Sequence, residues 1–136
     1  AGCEAALWLA DRGVQVELYE QKPTKYSPAH KSAGFAELIC SNSLKAERPD
    51  SASGLLKIEM KMMGSHLLDA AETARVAAGG ALAVDRDVFS AAVTEICRRQ
   101  AMPMKKTGYC FGWESLTFFS MRKKREICLN VFAANV

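Results

Sequence analysis

The sequence lacks several features that would assign it to a special class. No apolar run approaches the roughly 20 residues that a bilayer-spanning helix needs, so we expect no membrane-embedded segment. The five cysteines form no Cys-x-x-Cys motif and are odd in number, which argues against a disulfide framework and a structural zinc site. There is no internal repeat and no low-complexity stretch. These absences favour a globular protein of a reducing cytoplasm, with no metal site predicted.

The 136 residues are 49% hydrophobic and 24% charged, which is enough for one domain with its own core. Charge is unevenly spread along them. Residues 1–99 hold 12 Lys and Arg against 13 Asp and Glu, a net of −1, whereas residues 100–136 hold 6 against 2, a net of +4. We therefore predict a boundary near residue 100, followed by a basic, aromatic tail.

The first half of the chain predicts a helix, a strand and a long loop. Apolar residues at helical spacing indicate a helix over 1–10, and Gly13 is the glycine expected to terminate it. We therefore expect the chain to begin inside a structural unit. The alternating run Val14 to Glu20 predicts a strand. Two prolines make 21–34 a loop. Residues 36–39 are expected to form one or two helical turns, followed by a polar loop over 41–43.

The second half predicts two further helices with a strand between them. An apolar stripe from Leu56 to Ala71 predicts one long helix from Leu55 that ends before Val76, with Gly64 inside it. A turn at 79–80 then leads to a short strand. Asp85 or Asp87 caps the next helix, whose expected buried face is Val88, Phe89, Ala92, Val93, Ile96 and Cys97. After residue 99 we assign only a strand over 127–132.

Gly2 and Glu20 form two parts of a dinucleotide-binding unit. A glycine at a helix start allows close packing on a sheet, and the helix N-terminus offers N–H groups to a pyrophosphate. An acidic residue at the end of the next strand can bind ribose hydroxyls, and Glu20 lies 18 residues after Gly2. Taken alone, the pair favours the other interpretation, an ordinary helix-to-strand unit that carries a surface glutamate.

An ordered set of motifs runs through residues 1–98. The motifs are AGCEAA, GVQVELYE, SPAH, FAELICSNSLKA, GLLKIEM and AGGALAVDRDVFS. Together they resemble the folate- and FAD-dependent tRNA (uracil-5-)-methyltransferases, the TrmFO family. The flavoproteins that modify the wobble uridine of tRNA share the first motif, while CSNSLKA and GGALAVDRD favour the methyltransferases. An inactive flavin- or nucleotide-binding fragment remains a further alternative.

The resemblance implies a fold, an activity and a set of cofactors. The fold is α/β: residues 1–99 form part of a Rossmann-like FAD-binding domain of glutathione-reductase type, with its first strand missing. The activity is methylation of C5 of a T-loop uridine in tRNA, with methylenetetrahydrofolate as one-carbon donor and NAD(P)H as reductant. FAD carries the one-carbon unit. The oligomeric state is open, and activity of this segment alone is not expected.

The resemblance also implies roles for individual residues. Ala1, Gly2 and Glu20 are expected on FAD, with Ser41 and Asn42 at the flavin edges. Cys40 is expected to be catalytic: its thiolate either attacks C6 of uracil to activate C5 or holds the flavin-bound one-carbon unit, and both roles need an accessible cysteine. Without the resemblance, a buried cysteine that packs as a small hydrophobe is the more common arrangement.

Other chemistry-bearing residues carry simpler interpretations. Cys3 and Cys97 lie on apolar helix faces, where packing explains them, and His30 and His66 have no partner at metal-ligand spacing. The tail interleaves Lys and Arg with aromatic residues, a composition that can contact phosphates and stack on bases. The commoner interpretation of its basic run, 122–125, is a solvated stretch of charge.

Overall fold

The computed structural model describes residues 2–100 in full and the backbone of residues 104–106, 120–122 and 126–130. It opens with helix α1 (Gly2–Ala10), which is followed by strand β1 (Gln15–Glu20). Gly13 has a φ of 72°, the left-handed conformation that ends α1 and turns the chain into β1. The predicted order of helix, tight turn and strand is confirmed. Ala1 lies outside the described residues.

Strand β1 lies inside a four-stranded sheet whose other strands come from the last part of the chain. These are β5 (Met104–Lys106), β6 (Ser120–Arg122) and β7 (Glu126–Asn130), in the order β5-β1-β7-β6. β1 pairs in parallel with both β5 and β7, whereas β6 pairs antiparallel with β7. The predicted strand over 127–132 overlaps β7, and its last two residues lie outside the described part. β5 and β6 were not predicted.

The expectation of one long helix after residue 55 is wrong. The chain instead forms α2 (Ala52–Met62) and α3 (His66–Thr73). Gly64 adopts a φ of 77°, which a right-handed helix cannot contain, and the hydroxyl of Ser65 accepts the Leu68 N–H as the N-cap of α3. The helical apolar spacing continues across this break, which is why periodicity alone did not reveal it.

The break also changes which apolar residues are buried. On α3, Leu68, Ala70 and Ala71 are buried. Most of the apolar side chains that α2 and its C-cap contribute are exposed, with Leu56 54% and Met63 62% accessible. The predicted continuous buried stripe is therefore wrong for its first half.

A second, smaller sheet is antiparallel and three-stranded. It contains β2 (Ser43–Ala46), β3 (Arg75–Val76) and β4 (Ala81–Val84) in the order β2-β4-β3. The strand expected after Gly80 is confirmed as β4. β2 and β3 were not predicted, because β3 has only two residues and the register of β2 shifts between Ser43 and Ala46, which obscures any alternation.

Helix α4 (Arg86–Arg99) is capped by Asp85, one of the two aspartates, Asp85 and Asp87, that were expected to cap it. The Asp85 carboxylate accepts the N–H groups of Asp87 and Val88, each at 3.0 Å. Phe89, Val93 and Cys97 are buried as predicted. The prediction that Val88 is buried is wrong, since Val88 is 48% exposed.

The helical turns expected over 36–39 are absent from this described segment, which runs as bends and irregular chain. Ala36 has a φ of 52°, which is left-handed and interrupts any right-handed turn. The backbone of Phe35 is already engaged: its N–H donates to Thr94 Oγ1 at 2.8 Å, and its carbonyl accepts the Ser90 hydroxyl at 2.7 Å. Tertiary hydrogen bonds thus replace the local helical ones.

One hydrophobic core joins α1, β1, α3, β4 and α4. Within the described residues, no helix is both long and apolar enough to cross a membrane. The side chains buried in the core are Cys3, Ala6, Leu7, Val16, Leu18, Phe35, Leu68, Ala70, Ala71, Ala74, Leu82, Val84, Phe89, Val93 and Cys97.

Candidate functional site

The start of α1 and the end of β1 lie at the same edge of the larger sheet. α1 leads through the tight turn at Gly13 into β1, so the helix runs antiparallel to the strand that follows it. Gly2, in the first turn of α1, is therefore at the edge where β1 ends with Glu20. The pKa of the Cys3 thiol lies below its ordinary value, chiefly through the Cys97 side chain, and the nearby Glu20 carboxylate acts in the opposite direction. The structure thus brings these two predicted cofactor residues to one end of the unit.

Glu20 is buried, with 8% of its surface exposed. One of its carboxylate oxygens, Oε1, accepts the backbone N–H of Lys22 at 3.2 Å. A carboxylate offers about four acceptor positions, so this bond leaves acceptor capacity for further donors. The acidic residue expected to bind ribose hydroxyls is held in place by the chain that follows it.

Lys22 is the most deeply buried charged residue in the described loop, with only 2% of its side chain exposed. Its ammonium donates to the carbonyl of Gly34 at 2.7 Å and to Glu37 Oε2 at 3.2 Å. A buried charge is tolerated only when it is paired and hydrogen-bonded. Lys22 therefore links Gly34, at the end of the loop, and Glu37, in the segment beyond the loop, to the end of β1.

Glu37 also binds the loop, through hydrogen bonds to the loop backbone. Its Oε1 accepts the backbone N–H groups of Lys31 at 2.8 Å and of Ser32 at 2.9 Å. Burial acts to raise the pKa of Glu37, but these two hydrogen bonds and the Lys22 ammonium outweigh it, so that pKa lies below the ordinary value. Lys22 and Glu37 together hold the segment that leads to Cys40.

Cys40, Ser41 and Asn42 lie in the short connection that enters β2. All three are exposed. Ser41 Oγ accepts the N–H of Ser43 at 2.9 Å, and the backbone carbonyl of Asn42 accepts the N–H of Val84 at 2.9 Å, which fixes the connection to β4. The accessible cysteine expected at position 40 is therefore observed as an exposed thiol on an anchored turn.

His30 is buried in the same loop, with 7% of its surface exposed. Its Nδ1 lies 2.5 Å from Ser27 Oγ, while its Nε2 is the one buried side-chain polar atom of the described residues without a hydrogen-bond partner. Such an atom costs about 1–3 kcal/mol unless a group satisfies it. The sequence had shown His30 only as a histidine with no partner at metal-ligand spacing.

Sequence reasoning missed Lys22 and Glu37 altogether. Lys22 stands before a proline in a polar loop, a setting in which a lysine normally extends into water. Glu37 follows it by 15 positions with no periodic relation. Nothing in the sequence pairs them, because their partnership depends on how the loop closes.

The remaining candidates lie outside this site. Cys3 and Cys97 are buried in the core, as expected. His66 lies at the start of α3, where its Nε2 is 2.6 Å from Asp11 Oδ2. Among the described residues no cluster of three or more His, Cys, Asp or Glu is arranged to hold a metal ion. Of residues 100–136, which contain the aromatic and basic tail, the structure gives side-chain detail only for Gln100.

The helices and the mostly parallel larger sheet, with a buried acid where β1 ends beside a helix start, define an α/β protein. A comparison with known families is more specific. Residues 1–102 match the family described as Glucose inhibited division protein A, and the chain belongs to that family. The family part of the resemblance drawn from the motifs is confirmed.

Individual relatives are proteins named methylenetetrahydrofolate--tRNA-(uracil-5-)-methyltransferase TrmFO. The chain is 59% identical over 95 residues to the protein of Geobacter sulfurreducens, which covers 70% of this chain and 22% of that one. It is 50% identical over 109 residues to that of Syntrophomonas wolfei, covering 74% and 25%. For Thermotoga maritima the values are 54% over 99 residues, covering 73% and 23%. The matches thus span about a quarter or less of each relative.

Proposed function

We propose that this chain is the part of a folate- and FAD-dependent tRNA (uracil-5-)-methyltransferase that contributes to the cofactor site and carries a catalytic cysteine. The observation that carries the proposal is the exposed Cys40 thiol, in the segment that follows Glu37, whose ion pair with Lys22 ties that segment to the end of the strand that carries Glu20. The similarity to the TrmFO relatives supports the same assignment. Residues 1–99 would form part of a Rossmann-like FAD-binding domain of glutathione-reductase type, with its first strand outside this segment, and strands β5, β6 and β7 would extend the sheet of that domain.

The described residues fit FAD. The buried Glu20 carboxylate keeps acceptor capacity for ribose hydroxyls, and the start of α1 at Gly2 lies at the same edge. If Ser27 donates to Nδ1 of His30, then Nε2 carries the proton and is a buried donor that an oxygen of the cofactor would satisfy. Ala1, Ser41 and Asn42 complete the proposed set of cofactor contacts.

Cys40 acts as the nucleophile in this proposal. Its Sγ adds to C6 of the uracil, and the electron density displaced from the double bond makes C5 nucleophilic. Exposure is required, because a base flipped out of the T loop must reach the thiol. When bound, the flavin supplies the reducing chemistry that converts the transferred one-carbon unit of methylenetetrahydrofolate into a methyl group, with NAD(P)H as the electron source.

A chimeric enzyme tests the proposal. Residues 2–98 of this chain replace the matching segment of the Geobacter sulfurreducens relative, and purified protein is assayed for retained flavin and for methylation of T-loop uridine in tRNA. We expect both in the chimera. Cys40→Ala should abolish turnover and leave the flavin absorbance unchanged.

A second measurement isolates the thiol chemistry. With tRNA that carries 5-fluorouridine in the T loop, the chimera should form a covalent complex that resists denaturation, and Cys40→Ala should not. Retained turnover in that variant would remove Cys40 from the mechanism. Modification of the wobble uridine instead would favour the related flavoproteins, and flavin binding without any turnover would favour a binding segment.

A further inference from the structure

The carboxylate of Glu4 joins α1 to the N-terminus of α3. Glu4 lies in the first turn of α1. Its Oε1 accepts the backbone N–H of His66 at 3.0 Å, and its Oε2 accepts the N–H of Leu67 at 3.0 Å and the hydroxyl of Ser65 at 2.7 Å. These partners lie 61 to 63 positions further along the chain, so only the packing of α1 against α3 brings them together.

Glu4 completes the hydrogen bonding at the start of α3. The first N–H groups of a helix have no partner within that helix. In α3, those of His66 and Leu67 donate to Glu4. That of Leu68 donates to the Ser65 hydroxyl oxygen at 3.3 Å. A negative charge at this end also interacts favourably with the helix dipole, so the contact fixes the first turn of α1 to the first turn of α3.

A second contact fixes the other end of α1 to the same helix. Asp11 follows α1 directly, and its Oδ2 lies 2.6 Å from Nε2 of the His66 ring. Between these two contacts, Leu7 of α1 and Leu68 of α3 are buried in the same core. The helix α1 is therefore held along its length, and its start has a defined position at the edge of the sheet where Glu20 ends β1.

We propose that Glu4 is a positioning residue for the cofactor, which fixes the start of α1 where the pyrophosphate of FAD would bind. The inference rests on the proposed function, in which Gly2 and Glu20 contact FAD. A glutamate in the first turn of a helix commonly bends back to the start of its own helix, where its charge would compete with a phosphate for the N–H groups. Because α3 supplies donors to both oxygens of Glu4, those oxygens do not need the N–H groups at the start of α1.

Flavin titration of the chimera that contains residues 2–98 tests the proposal. The dissociation constant for FAD is measured on flavin-free protein by the quenching of flavin fluorescence, and urea unfolding of the same protein gives its stability. We expect Glu4→Ala to raise the dissociation constant by about tenfold, because the start of α1 loses its fixed position. If Glu4 had no positioning role, removal of a negative charge near the pyrophosphate would tighten binding or leave it unchanged.

Two matched variants separate positioning from a general loosening of the fold. Glu4→Gln keeps an amide oxygen that can accept two of the three donors, and we expect it to bind FAD within about threefold of the unsubstituted chimera. Leu68→Ala leaves a cavity in the core and should lower the free energy of unfolding at least as much as Glu4→Ala does. It keeps the contacts of Glu4 and should therefore keep the affinity for FAD.

The outcomes distinguish this inference from the proposed function. An unchanged dissociation constant in Glu4→Ala, or an equal rise in Leu68→Ala, would overturn the inference and leave the proposed function in place. Absence of flavin binding by the unsubstituted chimera would overturn both. If Glu4→Ala does not fold, Ser65→Ala takes its place, since it removes one donor and keeps the carboxylate. It should raise the dissociation constant by a smaller factor, and an unchanged value would contradict the proposal.

Discussion

The loop that leads to Cys40 and the surface around α2 and α3 use the same kinds of charged residue at different depths. In the loop, Lys22 and Glu37 have 2% and 13% of their side chains exposed and hold three stretches of chain together. On the α2–α3 surface, Lys61, Glu72 and Arg75 form ion pairs whose side chains are 34% to 46% exposed. The depth of burial decides how much each ion pair contributes to stability. Water screens the exposed charges, whereas a buried charge must be compensated by its partner.

The two regions also differ in what a broken contact leaves behind. An exposed ion pair that loses one partner leaves the other in water. Loss of Lys22 leaves Glu37 partly buried without its counter-charge, and loss of Glu37 leaves the backbone N–H groups of Lys31 and Ser32 without their acceptor. We therefore expect the buried site to respond steeply to small changes and the surface to respond little.

Removal of the buried cation should have the largest effect. Lys22→Met keeps the length of the side chain but leaves the Glu37 carboxylate without its ammonium partner, and we expect a loss of about 3 kcal/mol in the free energy of unfolding. Lys61→Met, which breaks the exposed pair with Glu72, should cost less than about 1 kcal/mol. Urea unfolding followed by circular dichroism measures both.

A double variant distinguishes loss of charge pairing from loss of packing. In Lys22→Met/Glu37→Gln the amide oxygen still accepts the N–H groups of Lys31 and Ser32, and no unpaired charge remains. It should recover part of the lost stability. Equal losses for Lys22→Met and Lys61→Met would show that depth does not separate the two regions.

Substitution of Gly34 should have an intermediate effect. A Cβ at this position would lie 2.5 Å from Ser90 Oγ, so Ser90 must rotate and give up its hydrogen bond to the Phe35 carbonyl. We expect Gly34→Ala to cost about 1–2 kcal/mol, the lower part of the range of about 1–3 kcal/mol for a buried acceptor left unsatisfied.

Two further variants check this account of Gly34 by the same unfolding assay. Gly34→Ala added to Ser90→Ala should cost less than it does alone, because the clash is already removed. Gly80→Ala, at a position where a Cβ would meet no atom within 4 Å, should have little effect. A full additive cost in the double variant would contradict the contact with Ser90.

Acid should destabilise the protein through Glu37, and we expect this effect to be smaller than those of Lys22→Met and Gly34→Ala. The pKa of Glu37 is lowered in the folded chain, so its contribution is present above its unfolded pKa of about 4.3 and is lost as the pH falls through the folded value. Glu37→Gln should flatten the fall in stability below about pH 4.3. Unfolding free energies measured over an acidic pH series test this.

A matched exposed carboxylate serves as the control for the acid series. Glu95→Gln disrupts the exposed pair between Glu95 and Arg99 and should change the unfolding free energy by less than about 0.5 kcal/mol at any pH. If the unfolding free energy of Glu37→Gln falls as steeply at acidic pH as that of the unsubstituted chain, other groups cause the acid sensitivity.

Local patterns predicted the elements whose signals lie within a few neighbouring residues. Alternating Val14 to Glu20 indicated β1, Gly13 the turn before it, and Asp85 the cap of α4. The break at Gly64 was missed because apolar spacing continues through it, and the turns expected near Ala36 do not form because Thr94 and Ser90 bind the Phe35 backbone from another helix. Local signals are reliable only where no distant partner competes with them.

The sequence by itself determined the α/β class, the helix-to-strand unit that carries Gly2 and Glu20 and, through its ordered motifs, the family, whose resemblance led us to expect an accessible Cys40. These properties follow from residue type and short-range spacing. Only the tertiary structure decided that Lys22 pairs with Glu37 and that Ser90 binds the Phe35 backbone, because these partners are distant in the chain. Burial makes such contacts strong, and burial depends on how loops and helices close over one another.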